Sequence, residues 1–251
     1  MSYQSYHDKR KRLLAEAMRL FEKRQYRGAE QLSRKLWNEA ESFEDTYCQA
    51  EALVIAGNSQ RELGECQASL SSFKQILDLP QYQDNKMIVK DRAHSGIGNA
   101  HYGLGQYKEA VEHHQEHFDI AQQRNDQPGQ GRACGNLGCA YYGLGQYETA
   151  IEHHQYHLDI AQRLDDKSGQ SKAYANLGCA YERMSQYNTA INYAKKCLEI
   201  AQQLDDKLGQ GVAYNNLGKA HTGKGQYKTA IDYHQKDLEI AQQLDGKPNK
   251  P

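Results

Sequence analysis

The chain lacks the features that would place it in a membrane, in an oxidising compartment or among the common enzymes. No run of apolar residues is long enough to cross a bilayer. The opening "MSYQSYHDKRKRLLAEAM" carries its charge near residue 10 and has no apolar stretch of a secretory signal behind it. The six cysteines, Cys48, Cys66, Cys134, Cys139, Cys179 and Cys197, form no CxxC pair. Cys134 and Cys139 sit five apart, a spacing that suits neither zinc nor dithiol chemistry, so reduced thiols in a cytoplasmic protein are expected. No glycine-rich phosphate loop follows a strand, because no strand is evident. Ser, His and Asp occur without a nucleophile motif around them. Neither an enzyme nor a cofactor is implied. Prolines are few, and all four (Pro80, Pro128, Pro248, Pro251) fall where a helix would have to stop.

What is present is repetition. The formal net charge of -1 over 251 residues and a mean hydropathy of -0.93 describe a polar chain, yet Ala, Leu, Ile and Tyr recur at fixed spacing, which argues against disorder. The tripeptide GQY stands at Gly105, Gly145 and Gly225, and Ser185-Gln186-Tyr187 is the same turn with its glycine replaced, giving a 40-residue period. Counting back reaches Gly64-Glu65-Cys66 and then Arg24-Gln25-Tyr26. The repeats fall at about 10–49, 50–90, 91–130, 131–170, 171–210 and 211–245, forming one array over 10–245 between a flank at 1–9 and a flexible tail at 246–251.

Each unit reads as two helices. Cys134, Leu137, Gly138 and Tyr141 lie at i, i+3, i+4 and i+7, one stripe of a helix. Gly145 stops it by accepting the left-handed conformation. A second stripe holds Ala150, Ile151, His154, Leu158 and Ala161, and the polar "LDDKSGQ" follows as a turn. Gly138 and Ala150 are expected to face each other, letting the helix axes approach, as are Gly98 and Ala110, Gly178 and Ala190, and Gly218 and Ala230. Neither helix buries its stripe alone. Stacking unit on unit buries a continuous seam, which gives the fold class: an all-α, right-handed α-solenoid of about six helix-turn-helix repeats.

Leu137-Gly138-x-x-Tyr141 with Ala150, and Leu177-Gly178-x-x-Tyr181 with Ala190, resemble the tetratricopeptide repeat (TPR) signature. Ile97-Gly98-x-x-His101 and Leu217-Gly218-x-x-His221 are close variants. The longer 40-residue format resembles the LGN/Pins-type adaptors, with rapsyn-like scaffolds next. The resemblance covers about 91–245 well, and 10–90 in pattern only, with Ser69 where the alanine is usual. It implies a non-enzymatic, cytoplasmic adaptor that grips a peptide on the concave face of its first helices, in assemblies of the cell-polarity or spindle-orientation type.

The helix face opposite the seam names the residues. Asn136, Asn176 and Asn216 recur once per repeat, with Asn215 beside the last and Asn99 one turn further along the third repeat. Each offers a donor and an acceptor to an extended backbone. Arg92, Arg132, Lys172, Arg183 and Lys219 favour carboxylates on that segment. The expected partner is therefore a protein with an acidic segment, with no nucleic acid and no membrane span.

Two alternatives stay open. The last helix should expose Ile231, Leu238 and Ile240, so the array could form a homo-oligomer through its last repeat. The pairs His113/His117 and His153/His157, at i and i+4, have a spacing that can hold a metal ion, though no third ligand is evident; His114 and His154 fall on the buried stripe. The basic segment 8–35 intersperses acids at helical spacing and reads as a solvated first repeat.

Overall fold

The computed structural model describes residues 3–80 and 86–244. Among them are twelve α-helices and no strand. The helices pair as hairpins: α1 (Tyr3–Glu22) with α2 (Tyr26–Glu41), α3 (Thr46–Glu62) with α4 (Cys66–Asp78), α5 (Lys86–Gly103) with α6 (Tyr107–Gln123), α7 (Gln127–Gly143) with α8 (Tyr147–Arg163), α9 (Lys167–Arg183) with α10 (Tyr187–Gln203), and α11 (Lys207–Gly223) with α12 (Tyr227–Leu244). The chain forms two compact units, one ending at Asn125 and one starting at Asp126. In the first, α2 packs on α3 and α4 on α5; in the second, α8 packs on α9 and α10 on α11. Within each unit a second helix thus covers the first helix of the next hairpin, as an all-α solenoid requires.

Local chemistry sets the ends of these helices. Asp45, Asp126, Asp166 and Asp206 each accept the backbone N–H three residues on, at 2.9, 2.9, 2.9 and 3.0 Å, and so cap α3, α7, α9 and α11. The "LDDKSGQ" stretch is therefore a turn only as far as Asp166; Lys167 already opens α9. Each first helix ends on a left-handed residue. It is glycine at 64, 105, 145 and 225, but Arg24 and Ser185 hold φ of 58° and 60° at the equivalent place. Residues 3–9, expected as a flank, are helical: Tyr6 is buried, donates to Asp45 Oδ2 at 2.9 Å, and stacks on Phe43 at 4.0 Å. The expected tail at 246–251 lies outside the described residues.

The seam differs from the expected pairing of glycine with alanine. A Cβ built at Gly138 would lie 2.5 Å from His154 Cε1, and the same holds at 2.6 Å for Gly98 with His114 and 2.5 Å for Gly218 with His234. The glycine is a notch for an imidazole ring one turn beyond the alanine. Only at Gly178 is the nearest neighbour Ala190, through its carbonyl oxygen at 3.5 Å, because Ala194 replaces the histidine. A neighbouring notch repeats the logic: His157 lies 3.0 Å from the Cβ position of Gly135, whereas the corresponding Ala175 packs with Cys197. Large on one helix meets small on the other.

Candidate functional site

The first helices have three neighbours to serve, and that decides which side chains remain free. In the second unit, α9 packs on α11 and α7 on α9, in addition to their own second helices. The asparagines sit on these contacts. Asn176 Nδ2 donates to Cys139 Sγ of α7 at 3.6 Å. Asn216 Nδ2 donates to the Ala175 carbonyl of α9 at 3.1 Å, and its Oδ1 accepts from Cys179 Sγ at 3.3 Å. Asn216 is buried, so its expected role as a free peptide contact is corrected: both functions of its amide hold α11 to α9. Asn215 turns the other way and donates to Asp237 Oδ2 of α12 at 3.1 Å, which removes it from the groove as well. Asn136 and Asn176 are half-buried.

The cations divide similarly. Lys172 and Lys219 are exposed on α9 and α11. Arg132 is exposed and stands 3.8 Å from Asp126, the cap of its own helix. Arg183 donates to Tyr147 Oη at 3.1 Å and lies 5.6 Å from that ring's centre, tying α9 to α8. In the first unit, Arg92 pairs with Glu51, and Asn99 is half-buried. The first unit's inner helices carry a different lining, with Met18, Phe21, Glu22, Glu51 and Val54 around a cleft that Arg92 closes.

A small depression in the second unit brings Lys219, Glu182, Cys179 and Asn216 together with Tyr142 and the backbone at Gly178. Burial raises the Cys179 thiol and pushes the Tyr142 phenol up to about 12, so both stay protonated and the lining is neutral apart from Lys219 and Glu182. Tyr142, Tyr147 and Glu182 were not singled out from the sequence. Their signal is only that residues at the end of a first helix touch the start of a second.

The histidines are structural neighbours. His113 Nδ1 faces His94 Nδ1 at 3.1 Å, and His117 Nε2 lies 3.6 Å from Asp91 Oδ1. Burial lowers His113 to about 4 and His114 and His154 to about 3, so these rings are neutral at pH 7. Among the described residues no three His, Cys, Asp or Glu side chains come together as a metal set. Half of the basic segment's ten cations are paired: Lys9 with Glu39, Arg10 with Asp45, Arg19 with Glu16, and Arg27 and Arg34 with Glu30. On α12, Ile231 and Leu238 are exposed as expected, but Ile240 is buried, its Cγ2 3.5 Å from the Cβ position of Gly211 on α11. Among the described residues no helix is long and apolar enough to cross a membrane.

Known proteins place this geometry. No curated protein matches the chain significantly. Among solved structures, BtubC (BKLC) from P. vanneervenii superposes with a TM-score of 0.70 at 18% identity, covering 96% of this chain and 94% of that one. The apo form of RapI gives 0.73 at 15% identity, over 95% of this chain and 99% of that one. A signal transduction ATPase with a tetratricopeptide repeat sensor from Pyrococcus horikoshii gives 0.74 at 18% identity, over 96% of this chain and 40% of that one. At such identities the likeness is one of fold. The model of the tetratricopeptide repeat matches residues 91–163, 141–203 and 169–243. Arrays of such repeats are generally non-catalytic scaffolds that bind protein partners on extended surfaces. With more than half its length matched, the chain belongs to the tetratricopeptide repeat family.

Proposed function

We propose that the second unit is an adaptor surface that holds an acidic, extended or partly helical segment of a partner protein along α7, α9 and α11. The observation that carries this reading is the placing of Arg132, Lys172 and Lys219 on three successive first helices. All three are exposed, and neither lysine has an ion-pair partner among the described residues. Asn136 and Asn176 keep part of their amides open beside them. Such a scaffold is ordered before it binds, so a flexible partner bears most of the ordering cost. The resemblance to LGN/Pins-type adaptors supports a setting in polarity or spindle-orientation assemblies. The test is selection of a random twelve-residue peptide library on the full chain, followed by titration of the enriched peptides. Acidic peptides should emerge, and Lys172→Glu with Lys219→Glu should weaken them at least tenfold with helicity unchanged. Enrichment of neutral peptides, or indifference to the double reversal, removes the reading.

Self-association through the last repeat is a second reading, favoured by α12. An antiparallel second copy centred between His234 and Gln235 would set the exposed Ile231 against Leu238. Light scattering across a concentration series should show a dimer that Leu238→Glu abolishes. A monomer at every concentration excludes it.

A further inference from the structure

Three aligned positions hold neighbouring rings in three of the six hairpins. In α9/α10, Tyr174 and Tyr181 flank Tyr193, at centroid distances of 6.0 and 5.4 Å. In α11/α12 the same places hold Tyr214, His221 and Tyr233, at 6.2 and 5.4 Å. In α5/α6 they hold His94, His101 and His113, at 5.3 and 5.6 Å. In α7/α8, Tyr141 stacks on His153 at 5.2 Å. The tyrosines of α9/α10 fill the space against Ile151 and Leu158 of the preceding second helix.

The α3/α4 hairpin carries no ring at any of the three. The corresponding residues are Leu53, Gln60 and Ser72. What stands there instead is an open cleft of about 430 Å³ between α2 and α4, with Leu53, Gln60 and Ser72 in its lining. Trp37 forms part of the opposite wall, where α8 and α10 have Leu158 and Leu198 and α6 has Phe118. The inner edge is polar. Ser72 Oγ donates to Gln60 Oε1 at 2.8 Å, and Gln60 Nε2 donates to Glu30 Oε1 at 3.1 Å. Glu30, which replaces the Ile151 and Ile191 of later hairpins, is itself buried and held by Arg27 and Arg34. Ser72 Oγ and Gln60 Oε1 each retain acceptor capacity.

We propose that this cleft is a binding site for a planar ring bearing a hydroxyl, the phenol of a tyrosine side chain on a partner polypeptide. It supplies from outside the ring that α5/α6, α9/α10 and α11/α12 carry within, whereas α1/α2 fills the three places with Leu13, Leu20 and Leu32. The indole of Trp37 and the floor at Leu53, Ala52 and Ala56 offer apolar contact, and the Ser72–Gln60 edge accepts the phenolic proton. A plain phenyl ring would cover that edge without satisfying it. The site lies in the first unit and uses none of the cations of the proposed acidic-segment surface, so either can fail alone.

Trp37 is the only tryptophan and reports occupancy directly. The full chain is titrated with p-cresol, with N-acetyltyrosinamide and with toluene, following Trp37 emission excited at the red edge. A small phenol is expected to saturate with a midpoint on the order of 1 mM. N-acetyltyrosinamide should bind at least as tightly as p-cresol, and toluene at least fivefold more weakly. Gln60→Tyr with Ser72→Tyr, which writes the α9/α10 rings into the cleft, should abolish the saturable response without lowering Tm. Ser72→Val with Gln60→Met, which removes both acceptors, should bring p-cresol down to the affinity of toluene. The proposal is overturned by no saturable response, by toluene equal to p-cresol, by a filled variant that still responds like the parent, or by an unchanged affinity in the variant that combines Ser72→Val with Gln60→Met. Binding of p-cresol but not of N-acetyltyrosinamide overturns the polypeptide as source.

Discussion

The hairpins α7/α8 and α9/α10 are nearly the same text folded the same way, and they solve the seam differently. In α7/α8 the first helix is stripped to Gly131, Gly135 and Gly138, and the second fills the space with His157 and His154. In α9/α10 the first helix carries Ser171, Ala175 and Gly178, and the second is trimmed to Cys197 and Ala194. Volume moves across the interface while the helix spacing is kept. The two also differ at the turn, Gly145 against Ser185, and in the fit at the conserved-looking glycine: Gly138 is sterically obligatory, whereas Gly178 is inherited with nothing pressing on it.

The largest contrast follows from that fit. Gly138→Ala puts a methyl 2.5 Å from a ring that is fully buried and cannot swing away, so it should destabilise the chain by about 2–3 kcal/mol despite the helix propensity gained. Gly178→Ala meets nothing closer than 3.5 Å and should stabilise by roughly 0.5–1 kcal/mol. Urea denaturation of both variants decides it. Equal effects would mean that the notch plays no part. His154→Ala in the Gly138→Ala background should recover part of the loss, since that pair approximates the alanine-rich arrangement at 178 and 194.

The second contrast is with pH. His154 has its pKa lowered to about 3 by burial, and His114 likewise, whereas α10 has no imidazole at the equivalent place. The folded pKa lies below the unfolded value near 6.5. The stability is therefore present above pH 6.5 and is lost as pH falls toward the folded value, because the unfolded chain takes up protons that the native rings refuse. One such ring should remove about 2 kcal/mol between pH 7 and pH 5. Stability measured against pH for the parent and for His154→Ala checks this: the variant should be less stable at pH 7 and should show a shallower decline. Parallel curves would refute the assignment.

These contrasts mark where the sequence was legible. Period, helix pairs and turn glycines are local properties, and they survive into the structure at Gly105, Gly145 and Gly225. The partner of Gly138 was not legible, because choosing between Ala150 and His154 takes the register between two helices, and both lie on the same stripe. Asn216 was misplaced for a related reason. A first helix presents one face to its own second helix and another to its neighbours, so a residue opposite the seam is not thereby free. Asn216 falls on the neighbour-facing side. The cleft beside Trp37 was invisible for a third reason: it comes from three rings missing at aligned positions, and the alignment passes through the longer 41-residue step between the second and third repeats.

The stitch at Asn216 gives the next effect. Asn216→Ala strips the Ala175 carbonyl of its side-chain donor and Cys179 of its acceptor, and should cost about 1.5 kcal/mol. Asn136→Ala, at a half-buried position, should cost less than about 0.5 kcal/mol. If both asparagines serve a bound segment and not the fold, the two variants will instead be equally stable and differ from the parent only in binding.

The turn contributes a further small effect. Ser185 holds φ at 60° where Gly145 holds 76°, and a residue with a Cβ pays roughly 1 kcal/mol for the left-handed region. Tyr187 Oη donates to Ser185 Oγ at 3.2 Å, a bond on the surface that returns little. Ser185→Gly should therefore stabilise by about 0.5–1 kcal/mol even though glycine makes the unfolded chain more flexible, and Gly145→Ser should destabilise by a similar amount. Opposite signs from thermal denaturation of the two variants would show that the turns are interchangeable and that serine is the strained one. The same sign for both would mean that the hydroxyl bond to Tyr187, absent at 145, outweighs the backbone.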